Sequence, residues 1–112
     1  MVTNRRVIEE AGPDFYPTPE WGTKALLSVE PGLENVLEPC CGDGAMAKVI
    51  EAAGIKVLAS DLHNRGYGHQ ADFFDYHQHG GDIVTNPPFN IAEDIALHAL
   101  KIMRRFHIRY FP

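Results

Sequence analysis

Apolar residues recur along this chain with more than one period, and the places where one gives way to another mark its elements. Met46, Val49, Ile50 and Ala53 stand at i, i+3, i+4 and i+7, one face of a helix over 45–53, and Gly54 suits the cap beyond its end. Ile91, Ile95, Ala99 and Ile102 make a second helical face, and Asn90 with Glu93 has the interval of a capping box ahead of it. Three runs are apolar but too short for helices: 35–38 (NVLE), 55–60 (IKVLAS) and 82–85 (DIVT). Each is bounded by turn-forming residues and reads as a strand. A further candidate strand, 71–74, lies inside a Gly- and His-rich stretch, 62–81, that otherwise reads as loop.

Upstream, Thr18-Pro19-Glu20 has the makings of a helix start: a hydroxyl to cap, a proline for the first helical position and an acid for the positive end. That helix runs to about residue 30, where Pro31-Gly32 stops it, and Trp21, Leu26 and Val29 are expected in the core. Residues 1–17 show no period and read as irregular. The order α, βαβ, loop, β, α predicts an α/β fold, a mainly parallel sheet of about four strands with helices on its faces. Ligands of such sheets bind beyond the carboxyl ends of the strands.

Composition narrows the class. The chain has 112 residues, of which 45% are hydrophobic and 22% charged, the profile of one soluble globular domain over 1–112. Within it, 1–34 reads as an irregular segment plus a helix, 35–105 as the core and 106–112 as a tail. Fifteen acids against ten bases leave a charge of -5, which speaks against binding nucleic acid through bulk charge. The charge is uneven: Lys101, Arg104, Arg105 and Arg109 face no acid after residue 100, so the first 100 residues carry all fifteen acids and six bases. With Phe106, Tyr110 and Phe111 interleaved, this tail suits either a phosphate backbone or the negative end of a helix, the latter favoured.

No apolar run approaches the roughly 18 residues of a membrane span, and MVTNRRVIEEAG has bases without an apolar segment after them, so no membrane partner and a cytoplasmic location are expected. Cys40 and Cys41 are adjacent, cannot staple distant segments and lack zinc-site spacing, so they read as free packing thiols. His77 and His79, near His63, His69, Asp72 and Asp75, show no defined ligand interval and read as solvated; no metal site is expected.

The distinctive polar and glycine residues fall at the predicted carboxyl ends of strands: Glu38 to Gly44, Asp61, Asp72, and Asn86 to Phe89. Gly42 and Gly44 let backbone approach a ligand and tighten the turn into a helix. Asp61, past the end of the next strand, has the placement of an acid that accepts bonds from ribose hydroxyls. Asn86-Pro87-Pro88-Phe89 is the most specific feature. Pro87 brings a carbonyl and no N–H, so the Asn86 Oδ1 and a neighbouring carbonyl both can accept from one planar amino group while Phe89 stacks on its heterocycle.

These residues resemble the class I S-adenosylmethionine-dependent methyltransferases of the amino group type, chiefly the adenine-N6 DNA methyltransferases. Glu38-Pro39-Cys40-Cys41-Gly42-Asp43-Gly44 looks like their glycine-rich cofactor motif, Asp61-Leu62 like the ribose-binding acid and its neighbour, and Asp72-Phe73 like the pair that meets the cofactor adenine, with Asp75 an alternative to Asp72. Asn86, Pro87, Pro88 and Phe89 look like the catalytic tetrapeptide. Phe15-Tyr16-Pro17-Thr18-Pro19 looks like the segment closing over the methionine end, which makes Tyr16 and Thr18 cofactor residues.

The resemblance implies a Rossmann-like three-layer sandwich, S-adenosylmethionine as cofactor with S-adenosylhomocysteine as product, and methyl transfer to an exocyclic amine, adenine N6 in DNA first. RNA adenine, a cytosine amine and a protein glutamine amide present the same planar NH2. A base in a duplex must be flipped out to be reached. The family sheet has seven strands, so this chain is expected to hold its amino-terminal half, with at most a frayed fifth strand in 107–111. The strand bearing Asn86 would then be an exposed edge that a second copy or a carboxyl-terminal half covers. A non-catalytic cofactor-binding or partner-binding module is the alternative to an enzyme.

Overall fold

The computed structural model describes residues 17–103 and the backbone of 108–110. Five strands, β1 (Val36–Glu38), β2 (Val57–Asp61), β3 (His69–Gln70), β4 (Ile83–Thr85) and β5 (Ile108–Tyr110), form one sheet in the order β3-β2-β1-β4-β5, each pair parallel. Three helices accompany them: α1 (Glu20–Val29), α2 (Ala45–Ala52) and α3 (Ala92–Ile102). The chain is an α/β unit with a parallel sheet, as its alternation of periods predicts.

Alternation along the strands sorts the core into two faces. Leu37 and Ile83, paired across β1 and β4, lie in one cluster with Phe73, Ile91, Ile95, Ala99, Ile102 and Met103, so α3 covers that face. Their neighbours Val36 and Val84 lie in another cluster with Met46 and Ile50 of α2 and the partly buried Leu26 and Leu27 of α1. The predicted face Ile91/Ile95/Ala99/Ile102 packs as a whole, whereas of Met46, Val49, Ile50 and Ala53 only Met46 and Ile50 are core, Val49 being half-buried and Ala53 exposed just past the end of α2. No helix among the described residues is long and apolar enough to cross a membrane.

Several expectations are corrected. The third strand is β3 at His69–Gln70, not 71–74, because the Asp72 carboxylate accepts from the Phe74 N–H at 2.9 Å and caps a 3-10 turn, Phe73–Asp75. Asn90 and Glu93 form no capping box: Asn90 lies in a 3-10 turn, Phe89–Ile91, and α3 begins without a side-chain cap. Trp21 and Val29 are not core but 75% and 70% exposed, because α1 turns Gly22 and Thr23 inward. The strand bearing the approach to Asn86 is not an edge, since β5 pairs with all of β4 and itself forms that border of the sheet.

The amino ends of β1 and β4 are locked together. The Asp82 carboxylate accepts from the Glu34 N–H at 2.8 Å, the Asp82 N–H donates to the Glu34 carbonyl at 3.1 Å, and His79 Nε2 sits 2.7 Å from the Asn35 carbonyl. The backbones approach so closely at Gly81 that a Cβ there would collide with the Asn35 carbonyl oxygen and come within 2.7 Å of the Glu34 one. Both obstacles are backbone and cannot swing away. Gly81→Ala is therefore expected to cost about 2 to 3 kcal/mol in urea unfolding. Gly80→Ala, where a Cβ would meet nothing within 4 Å, is the matched control, and equal midpoints for the two variants would refute the account.

Candidate functional site

At the carboxyl end of the sheet the order of strands reverses about β1, which has β2 on one side and β4 on the other. Chain leaving β1 enters α2 on one face and chain leaving β4 leads to α3 on the other, the arrangement beyond whose strand ends ligands of open α/β sheets bind. Among the described residues, Glu38 to Gly44, Asp61 and Asn86 to Phe89 lie at or just past the carboxyl ends of β1, β2 and β4.

Glu38 closes β1 and is 2% exposed. Its Oε2 accepts from the Cys40 N–H at 2.9 Å. Loss of hydration on burial pushes its carboxyl up to about 7, reinforced by the nearby Asp61 and opposed by Thr85 and the Cys40 N–H. The Thr85 hydroxyl stands beside this carboxylate, yet it is buried without a hydrogen bond of good geometry. Glu38, Cys40, Asp61 and Thr85 are thus one polar cluster at the carboxyl ends of β1, β2 and β4, acidic and incompletely satisfied.

The turn from β1 into α2 passes through Gly42 (φ 56°) and Gly44 (φ 89°), both in the left-handed region. The Gly42 N–H donates to Asp61 Oδ2 at 2.9 Å, and Asp61 Oδ1 accepts from the His63 N–H at 2.8 Å. Asp61 therefore ties the glycine turn to the end of β2, and each oxygen keeps a further lone pair for a ligand hydroxyl. Gly44 is small for another reason than ligand approach: a Cβ there would lie 2.5 Å from the Tyr67 ring. Tyr67 lies along α2, with its hydroxyl donating to Glu51 at 2.6 Å and the Lys48 ammonium 5.2 Å from its centroid.

Pro39 is buried in the turn, and Leu62 is partly buried against the cluster that holds Phe73. The Phe73 ring is 2% exposed, its edge contact with His98 of α3 having centroids 5.0 Å apart, so it is packed in the core. Asp72 is buried and spends one oxygen on its cap, while Asp75 is exposed. Burial pushes the Cys41 thiol up to about 12 and the Cys40 thiol well up as well, so both stay protonated, as packing residues do.

Past the carboxyl end of β4, Asn86 and Pro88 are half-buried, Pro87 is buried and Phe89 is 89% exposed. An apolar ring so open to water is an available stacking face. Asn86 Nδ2 donates to Thr18 Oγ1 at 3.0 Å, joining positions 68 residues apart. Thr18 thus serves Asn86 and does not cap α1, which has no side-chain cap. Tyr16 lies outside the described residues, as do Phe15 and most of the basic tail. Sequence reasoning missed Thr85 and Tyr67. Nothing in the pattern marks Thr85, whose hydroxyl matters only because β4 lies beside β1.

Comparison of the chain with protein-family models, with curated proteins and with solved structures gave no match.

Proposed function

We propose that this chain binds S-adenosylmethionine across the carboxyl ends of β2, β1 and β4 and transfers its methyl group to an exocyclic amine, adenine N6 in DNA first. The observation that carries the reading is the convergence of two separate motifs, Glu38 to Gly44 and Asn86 to Phe89, at the ends of neighbouring strands where the sheet order reverses. The order β3-β2-β1-β4-β5 is that of a Rossmann-like sheet, whose nucleotide ligands lie at this point.

The residues present fit such a ligand. Glu38 is a buried carboxylate with one hydrogen bond and an orphan hydroxyl beside it, an environment that a cationic amino-acid end would complete. Asp61, held by two backbone N–H groups at the end of β2, keeps lone pairs that would accept from ribose hydroxyls. When bound, the cofactor supplies a sulfonium-activated methyl group. The chain's part is to orient the amine: Asn86 Oδ1 and a carbonyl of the Pro-Pro turn accept its two hydrogens, which favours the pyramidal, nucleophilic nitrogen, and Phe89 holds the ring. No covalent enzyme intermediate is needed.

Titration calorimetry with S-adenosylhomocysteine tests the first half, with binding expected to the native chain and about tenfold weaker binding to Asp61→Ala. Incubation with labelled cofactor and unmethylated DNA, RNA or a glutamine peptide tests the second and ranks the acceptors. Absence of binding to the native chain would end the reading. Binding without transfer to any amine would leave a cofactor-binding module in its place.

A further inference from the structure

We infer that Thr18 is a positioning residue that holds the Asn86 amide in place with its oxygen left for the amine to be methylated; the inference rests on the methyl-transfer reading above. An asparagine amide has an accepting oxygen and a donating nitrogen on nearly identical shapes, and only the acceptor is useful toward an NH2 group. Rotating the amide by half a turn would present N–H to N–H, and the amine would be repelled. Something in the fold must choose between the two orientations.

In this structure the Thr18 hydroxyl holds the amide in the sense that leaves its oxygen outward. Asn86 Nδ2 donates to Thr18 Oγ1 at 3.0 Å in a half-buried setting, and Oδ1 has no hydrogen-bond partner among the described residues. A hydroxyl is able to donate as well as accept, so it holds either orientation; accepting from Nδ2 is the sense that leaves Oδ1 for the substrate. Pro19 confines Thr18 to extended backbone and has φ -65° and ψ 145° itself, so the hydroxyl is carried by stiff chain immediately before α1. Two prolines, Pro87 and Pro88, stiffen the other side. The contact is thus a side-chain latch between two rigid pieces, made by a residue that local pattern assigns to the helix cap.

A role confined to orientation separates kcat from binding. Thr18→Val keeps the shape and removes the acceptor, and kcat is expected to fall roughly tenfold to a hundredfold, while the KM for the amine and the Kd for S-adenosylhomocysteine change by less than about threefold. Thr18→Ser restores the hydroxyl and is expected to recover most of kcat. A structural role alone would move the thermal midpoint of Thr18→Val and Thr18→Ser without that rescue pattern. The Asn86 side-chain NH2 resonances give an independent readout, expected to shift in Thr18→Val and to return in Thr18→Ser.

Outcomes separate the two readings. If native protein transfers methyl and Thr18→Val does so at the native kcat, the positioning role is overturned and the methyl-transfer reading stands. Loss of cofactor or amine binding in Thr18→Val with unchanged kcat also overturns it, since Thr18 would then contact the ligands directly. If native protein transfers no methyl to any amine, the parent reading fails and takes the inference with it.

Discussion

Replacing Glu38 by glutamine is expected to make the protein more stable at pH 8 and, under the proposed function, to weaken its binding of S-adenosylhomocysteine. The carboxyl is buried, and its affinity for a proton is raised from an ordinary value of 4.5 to about 7. Between those values the folded chain keeps a proton that the unfolded chain has released. Stability therefore falls as pH rises through this window, and the loss at pH 8 is about 3 kcal/mol. Below about pH 4.5 the group is protonated in both states and contributes nothing.

Glutamine stays neutral throughout, still accepts from the Cys40 N–H, and brings an NH2 that the unpartnered Thr85 hydroxyl is placed to accept. The difference in unfolding free energy between Glu38→Gln and the native chain should be small at pH 5 and grow to about 2 to 3 kcal/mol at pH 8. The difference, not either curve alone, is the measurement, because it cancels every group that the two proteins share. A cationic ligand needs the carboxylate, so calorimetry at pH 8 should show affinity reduced by about a hundredfold or more. Equal pH profiles for the two proteins would refute the buried-acid account. A variant that is more stable yet still binds would place the cofactor's cation elsewhere.

The second large effect is expected at Asn86. Under the proposed methyl transfer, Asn86→Ala removes one of the two acceptors assigned to the amine, with an expected loss of about a hundredfold to a thousandfold in kcat. Its structural cost is much smaller, about 1 kcal/mol, since the side chain is half-buried and makes a single described bond, to Thr18. Cofactor binding should survive, because Glu38 and Asp61 sit on other strands. Single-turnover rates with labelled cofactor, beside calorimetry on the same preparation, separate these terms. Full activity in Asn86→Ala would remove the tetrapeptide from the chemistry, and loss of cofactor binding would make Asn86 part of that site.

Much of the architecture was legible because it depends on local, repeated choices. Each of the helical faces at Met46 and Ile50, and at Ile91 to Ile102, must bury several apolar groups at once, so its period survives in the pattern. The carboxyl-end location of Glu38, Asp61 and Asn86 was legible for a related reason, since polar residues that terminate apolar strands have nowhere else to lie. Trp21 and Val29 misled because an apolar residue on a surface helix is no guide to burial: much of any folded surface is apolar. The strand at 71–74 misled because Asp72 prefers to cap the backbone beside it.

By itself, then, the amino-acid sequence determined the elements, their parallel arrangement and the strand ends at which polar groups collect. Only the tertiary structure decided which of those ends are neighbours. Pairing of β1 with β4 places Thr85 beside Glu38, and the fold returns Thr18 to Asn86 across 68 positions. The cover of β4 by β5 and the fit of Gly44 under Tyr67 are of the same kind. The physical reason is one of range: a cap, a turn or a helical face is set by residues within a few positions, whereas burial of a charge and orientation of an amide depend on what distant chain supplies.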